Sequence, residues 1–243
     1  MRLFAYFSLF LAFSFSHAKT LIVGVPEFNP PFVMSSGSGE FIGFDADIIN
    51  EVCRRISVKC SFKTLAYGLV FETVKNGDAD VAIGSITISL NRDEEFLFSL
   101  PYLQSFGQFL AKTASDINTP EDLVGKRLGT VNNSVYQSML SYKFGTKVQI
   151  STYEFQAQMM AALFNNDVDA LLLDKATADY WYANSDNLYK LVGKKIPYGY
   201  GYGILAAKGS EDLIAKINTA LLSMQRDGTY LRIYSTYFSG DPV

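Results

Sequence analysis

Apolar positions along this chain follow two alternating patterns, short unbroken runs and helical spacings. Leu21 to Val25 is a continuous apolar run, too short for an ordinary helix, and it predicts a buried strand. Ile48, Ile49, Val52, Cys53 and Ile56 then recur at helical spacing and predict a helix from about Ala46 to Ile56, with Asp45 as its cap. A second helix, about Leu69 to Lys75, stops at Asn76-Gly77, and Val81-Ala82-Ile83 reads as a short buried strand. Thr119-Pro120-Glu121-Asp122 combines a cap residue, a proline at the first helical position and acids in the first turn. Leu128 to Val131 and Val148 to Thr152 predict strands, each followed by a helix. A long helix from about Glu211 to Gln225 ends at Asp227-Gly228, and an aromatic-rich one runs from Thr229 to about Phe238. Strands alternating with helices imply an α/β fold with mostly parallel sheets.

One stretch is echoed. Asn76-Gly77-Asp78-Ala79-Asp80-Val81-Ala82-Ile83-Gly84-Ser85 and Asn165-Asn166-Asp167-Val168-Asp169-Ala170-Leu171-Leu172-Leu173-Asp174 share an order. Each is a helix end, an acidic turn, a buried strand and a polar residue where the strand stops. Chance is one source of such an echo; the other is two lobes of similar build. On the second reading Ser85 and Asp174 occupy equivalent strand ends. Open α/β sheets bind ligands beyond the carboxyl ends of their strands, so the pair points to a cleft.

The first eighteen residues change the composition that matters. Arg2 is their only charge, an apolar run extends from Leu3 to Phe15, and Ser16-His17-Ala18 precedes Lys19. That is the pattern of an export signal, with an apolar run too short to span a bilayer; a buried N-terminal helix or a retained anchor is the alternative. No cysteine follows the run, so a lipid anchor is not indicated. With residues 1–18 set aside, the chain starts at Lys19 without its one histidine, and with 20 basic residues (21 less Arg2) against 24 acidic ones. A mildly acidic chain without charge runs argues against nucleic acid or anionic lipid as partner. The high apolar fraction, 49% of the sequence, supports packed cores and rules out disorder. Cys53 and Cys60 are the two cysteines. In an exported chain they read as a disulfide stapling a helix to the next strand, with two buried thiols as the alternative. Two thiolates without histidine supply half a zinc shell, so no metal site is expected.

Several stretches carry a family resemblance. Gly39-Glu40-Phe41-Ile42-Gly43-Phe44-Asp45 followed by Asp47, Pro30-Pro31-Phe32, Ser85-Ile86-Thr87-Ile88-Ser89 with Arg92, Phe98-Ser99-Leu100-Pro101-Tyr102, and Arg226-Asp227-Gly228-Thr229-Tyr230 all match one pattern. The chain resembles the periplasmic solute-binding proteins for polar amino acids (solute-binding protein family 3), and within them the lysine/arginine/ornithine- and arginine-binding members. The resemblance runs over residues 19–238. It implies the two-lobed type II periplasmic-binding-protein fold with two crossover hinge strands: lobe one from residues 19–104 and 201–243, lobe two from 105–200. It also implies a periplasmic monomer that delivers a free amino acid to the permease of an ABC transporter, without cofactor or catalysis.

The resemblance assigns site residues, and their chemistry agrees with it. Arg92 grips the α-carboxylate, for which a guanidinium offers paired donors in fixed geometry. Ser85 and Thr87, with Gly84 beside them, share the carboxylate and ammonium. Asp174 ends an otherwise apolar strand and accepts the ammonium; capping the next helix is its other role. Ser134 and Val135 fall in the family's Gly-[ST]-Thr loop, where Asn133 replaces the glycine and Val135 removes a hydroxyl. Tyr67 stacks on a basic side chain, Phe28 lies near a second stacking position, and Glu27 can pair with a cationic tail. Asn29 stands where basic-ligand members carry an aromatic, and core packing is the alternative for every aromatic here. Arginine or another basic amino acid is favoured over glutamine or another polar one. Without the resemblance, Arg92 would read as a surface residue pairing with Glu94 or Glu95.

Two signals are set aside. Gly199-Tyr200-Gly201-Tyr202-Gly203 imitates a phosphate loop, but no helix follows at the required spacing; a crossover segment explains it better. Asn132-Asn133-Ser134 is a glycosylation sequon by string alone. The rival functions are a cyclohexadienyl or arogenate-type dehydratase, which similar folds resemble, and the ligand-sensing module of a receptor. Catalysis would have to rest on Glu27, Asp174 or a tyrosine shifted toward neutrality.

Overall fold

The computed structural model describes residues 20–37 and 40–238. The export signal, the start at Lys19 and Gly39 of the family signature lie outside the described residues. In chain order the first elements are β1 (Thr20–Pro26), β2 (Phe28–Asn29), β3 (Val33–Ser35), β4 (Phe41–Ile42), α1 (Phe44–Arg55), β5 (Lys59–Leu65), α2 (Val70–Lys75), β6 (Val81–Ala82), α3 (Leu90–Glu95) and β7 (Phe96–Phe98). The chain crosses over and continues with β8 (Phe106–Lys112), β9 (Arg127–Val131), α4 (Val135–Phe144), β10 (Gln149–Tyr153), α5 (Gln156–Phe164), β11 (Ala170–Asp174), α6 (Lys175–Ala183) and β12 (Tyr189–Pro197). It then returns to add β13 (Leu205–Ala207), α7 (Glu211–Arg226) and α8 (Thr229–Tyr237).

Two five-stranded sheets result, ordered β5-β1-β6-β13-β7 and β10-β9-β11-β8-β12. In the first, β1 lies parallel between β5 and β6, and β13 runs antiparallel to β6 and β7. In the second, β9 lies parallel between β10 and β11, and β8 runs antiparallel to β11 and β12. Each sheet is thus three parallel strands, then an antiparallel strand that has arrived from the other lobe, then an edge strand paired to it. β2, β3 and β4 form a small separate sheet.

The echoed sequence occupies equivalent places. β6 and β11 are the third strand of their sheets. Asp80 accepts the backbone N–H of Ile22 at 2.7 Å, and Asp169 accepts that of Arg127 at 2.8 Å. In both lobes the second aspartate of Asn-x-Asp-x-Asp ties its own turn to the start of the neighbouring parallel strand.

Local chemistry moves some boundaries. The first helix begins at Phe44, two residues before the sequence pattern, and Gly43 (φ 127°) is its cap. Asp45 is therefore inside the helix and buried, where it serves the cleft and not the helix end. The Thr119 segment makes only a short 3-10 turn over Pro120–Leu123. Cys53 on α1 and Cys60 on β5 form the disulfide, with their Cα atoms 5.9 Å apart. The residue ranges 99–105 and 198–204 connect the sheets. The two connections run side by side: Tyr202 N–H donates to the Leu103 carbonyl at 2.7 Å and Tyr102 N–H to the Tyr202 carbonyl at 2.9 Å. Gly201 permits this approach, since a Cβ there would lie 2.7 Å from the Leu103 oxygen. The glycine-rich string is thus a crossover and no phosphate loop.

Candidate functional site

The strand ends of the two sheets face each other across a cavity of about 300 Å³. Of the ten residues singled out in the sequence, Glu27, Phe28, Tyr67, Ser85, Thr87, Ser134, Val135 and Asp174 line it. Gly84 and Arg92 stand behind the wall. A Cβ on Gly84 (φ 148°) would lie 2.3 Å from Pro26 Cδ, so glycine is required there for backbone packing.

Asp174 closes β11 and points at the hinge. Its Oδ1 accepts the hydroxyls of Tyr136, at 2.7 Å, and Tyr202, at 2.5 Å. Its Oδ2 accepts Ser85 Oγ at 3.1 Å, and its side chain makes no capping bond to α6. Burial raises its pKa against the lowering effect of these three hydroxyls. The neighbouring phenols are themselves pushed well above their ordinary range by burial and by this carboxylate, so they stay donors.

Ser85 is the node of the first lobe. It sits in the left-handed region (φ 50°), and its N–H donates to buried Asp45 at 2.7 Å. Its Oγ also accepts Asn29 Nδ2 at 2.9 Å, and Asn29 Oδ1 accepts Thr177 Oγ1 of the second lobe at 3.2 Å. Asn29 thus joins the lobes through hydrogen bonds.

Arg92, on α3, forms no ion pair among the described residues. Its guanidinium lies over the Phe71 ring, 4.5 Å from the centroid, and donates to the Thr87 carbonyl at 3.1 Å. It also reaches the other lobe, donating to the Asn133 carbonyl at 2.8 Å. Asn133 (φ 56°) occupies the position where the family pattern has glycine, and asparagine tolerates that conformation best among the larger residues. The following Ser134 caps α4, its Oγ 3.3 Å from Thr130 Oγ1. Glu27 is exposed at the cavity mouth, and Phe28 meets Trp181 of the second lobe edge-on at 6.5 Å.

Sequence reasoning missed Tyr136, Tyr202, Thr177 and Gln156. Tyr136 was within reach, since it directly follows Val135 in the closing loop. Tyr202 was hidden in the glycine-rich string. Thr177 and Gln156 carry no local signal, because only the closed cleft brings them to the ligand wall. Among the described residues no cluster of side chains could hold a metal ion, and no helix is long and apolar enough to cross a membrane.

Two lobes joined by paired crossovers, with a cavity of mixed apolar and polar lining enclosed between their strand ends, define a protein built to close over a small solute. A family model described as bacterial extracellular solute-binding proteins, family 3, matches residues 21–240, and the chain belongs to that family. It is 29% identical to the arginine-binding periplasmic protein of Mannheimia haemolytica over 229 residues, 93% of each chain. The crystal structure of an arginine 3rd transport system periplasmic binding protein from Legionella pneumophila has a TM-score of 0.87 at 39% identity, covering 91% of this chain and 100% of that one. An ancestral arginine-binding protein bound to glutamine has a TM-score of 0.85 at 30% identity, covering 91% and 98%. The fold is that of the type II periplasmic-binding proteins. These relatives are named as binding proteins, none as an enzyme, and the dehydratase reading gains nothing from them.

Proposed function

We propose that this protein captures a free amino acid, arginine or another basic one foremost, and delivers it to the permease of an ABC transporter. The observation that carries the reading is Asp174, a half-buried carboxylate at the end of an apolar strand, lining the cavity, with its pKa raised by desolvation. Its hydroxyl partners are neutral, and an α-ammonium supplies the missing charge. Arg92, turning from behind the wall where it reaches Asn133, would take the carboxylate with Ser134 and the Val135 N–H. Tyr67 and Glu27 would face a cationic side chain. Glutamine is the second reading, favoured by Asn29 in place of a stacking aromatic. In this reading residues 19–104 and 201–243 form one lobe and 105–200 the other. Export removes residues 1–18, and the mature chain works as a periplasmic monomer.

Thermal-shift measurement against the twenty amino acids, ornithine and citrulline tests the reading. A ligand at one hundred times its Kd stabilises the protein by about 2.7 kcal/mol. The reading expects the largest shift with arginine or another basic amino acid; no shift with any amino acid would overturn it.

A further inference from the structure

Gln156 is the first residue of α5 and borders the cavity. It is 7% exposed, yet its Nε2 has no hydrogen-bond partner among the described residues. Buried side-chain amides are nearly always bonded, so an unbonded one on a cavity wall marks the place of an absent acceptor. The surroundings are donor-rich as well. The first N–H groups of a helix have no acceptor within it, and the residues of this turn also border the cavity. The positive end of the helix dipole disfavours a cation there and favours an oxygen.

This amide stands on a different element from the one that Arg92 reaches. α5 packs against β2, which carries Phe28 and Asn29. Arg92 reaches the second lobe at Asn133, just before α4.

We propose that Gln156 reads the end of the ligand's side chain and admits neutral amino acids ending in a carboxamide or ureido group, alongside the basic ones. This rests on the reading of the cavity as a free amino-acid site. Against glutamine or citrulline, Nε2 donates to the ligand's carbonyl while Oε1 accepts its N–H, a planar pair of hydrogen bonds. A guanidinium or ammonium has no acceptor to offer Nε2. A site built around a hydrogen bond discriminates against ligands that cannot complete it.

The test is calorimetric titration of the full mature chain with arginine, lysine, glutamine and citrulline, in wild type, Gln156→Met and Gln156→Glu. Wild type should bind glutamine and citrulline as well as a basic amino acid. Gln156→Met, similar in shape but without the amide, should weaken glutamine and citrulline at least ten-fold and the basic ligands less than three-fold. Gln156→Glu should lose the neutral ligands and keep or strengthen the basic ones. Equal losses for all four ligands, unchanged binding of the neutral pair, or a wild type that binds only basic amino acids would each overturn the assignment of Gln156. A wild type that binds none of the four would instead count against the amino-acid site itself.

Discussion

Asp45 and Ser85 lie forty positions apart, and the buried carboxylate of the first accepts the backbone N–H of the second at 2.7 Å. That bond holds Ser85 in its left-handed conformation, from which Oγ reaches Asp174. The other carboxylate oxygen of Asp45 and the Tyr102 hydroxyl are both buried without a well-aligned hydrogen bond among the described residues, although Tyr102 is near enough to favour the charged form. The family signature places its aspartate where it supports the cleft floor.

This arrangement predicts a specific pH dependence of stability. Burial pushes Asp45 up to about 7; the Ser85 N–H and Tyr102 oppose it, and Asp174 adds to it. A raised folded-state value means that the folded chain keeps a proton which the unfolded chain gives up near pH 4. The stabilisation is fully present below about pH 4 and is lost as pH rises through about 7. The loss from this group is on the order of 4 kcal/mol. Asp45→Asn removes the titration while keeping an oxygen for Ser85. In urea unfolding, the variant should gain on wild type as pH rises from about 5 to 8. A stability difference that stays flat over this range would show that Asp45 is already ionised at pH 5.

The Cys53–Cys60 bridge ties α1 to the edge strand β5. Closing so short a loop restricts the unfolded chain modestly, so replacing both cysteines with serine should cost about 2–3 kcal/mol. Secreted protein, denatured without reductant, should resist alkylation; two alkylated thiols in its intact mass would disprove the bridge.

Much of the fold was legible because its signals are local. The two Asn-x-Asp-x-Asp strings marked equivalent turns, and Asp80 and Asp169 make equivalent bonds there. Asp45 was misread for a physical reason. An aspartate before an apolar helix ordinarily caps it, whereas here Gly43 starts the helix and frees the carboxylate for a partner forty residues away. Tyr202 and Thr177 could not be read from the sequence, because their roles exist only where two distant segments meet.

Trp181 is the single tryptophan, and it meets Phe28 across the cleft. Lobe opening would separate the rings and wet the indole. Adding a saturating ligand should therefore shift the tryptophan emission to the blue, with a smaller radius of gyration by small-angle scattering. Neither change at saturation, in protein first stripped of ligand by unfolding and refolding, would argue against closure.

Arg92 has two possible duties that one experiment separates. Its guanidinium donates to the Asn133 carbonyl across the cleft and could act only as a latch between the lobes. Alternatively it turns toward the ligand and pairs with the α-carboxylate, for which Tyr67 and Thr87, both on the cavity wall, position it. The second duty is the one expected. Removing one side of a desolvated charge pair costs about 2–5 kcal/mol, thirty-fold to a few thousand-fold in affinity. Arg92→Ala should lose that much for the best ligand and remain folded, since the side chain is only half-buried and makes no ion pair among the described residues. Arg92→Lys should recover part of it, a point charge lacking the bidentate fork. Titration with the amino acid and with its carboxamide, which has no carboxylate, decides between the duties. Wild type should prefer the acid strongly, and Arg92→Ala should nearly abolish that preference. A variant that weakens acid and amide alike would make Arg92 a latch, and one that binds the acid within about three-fold of wild type would give it neither duty.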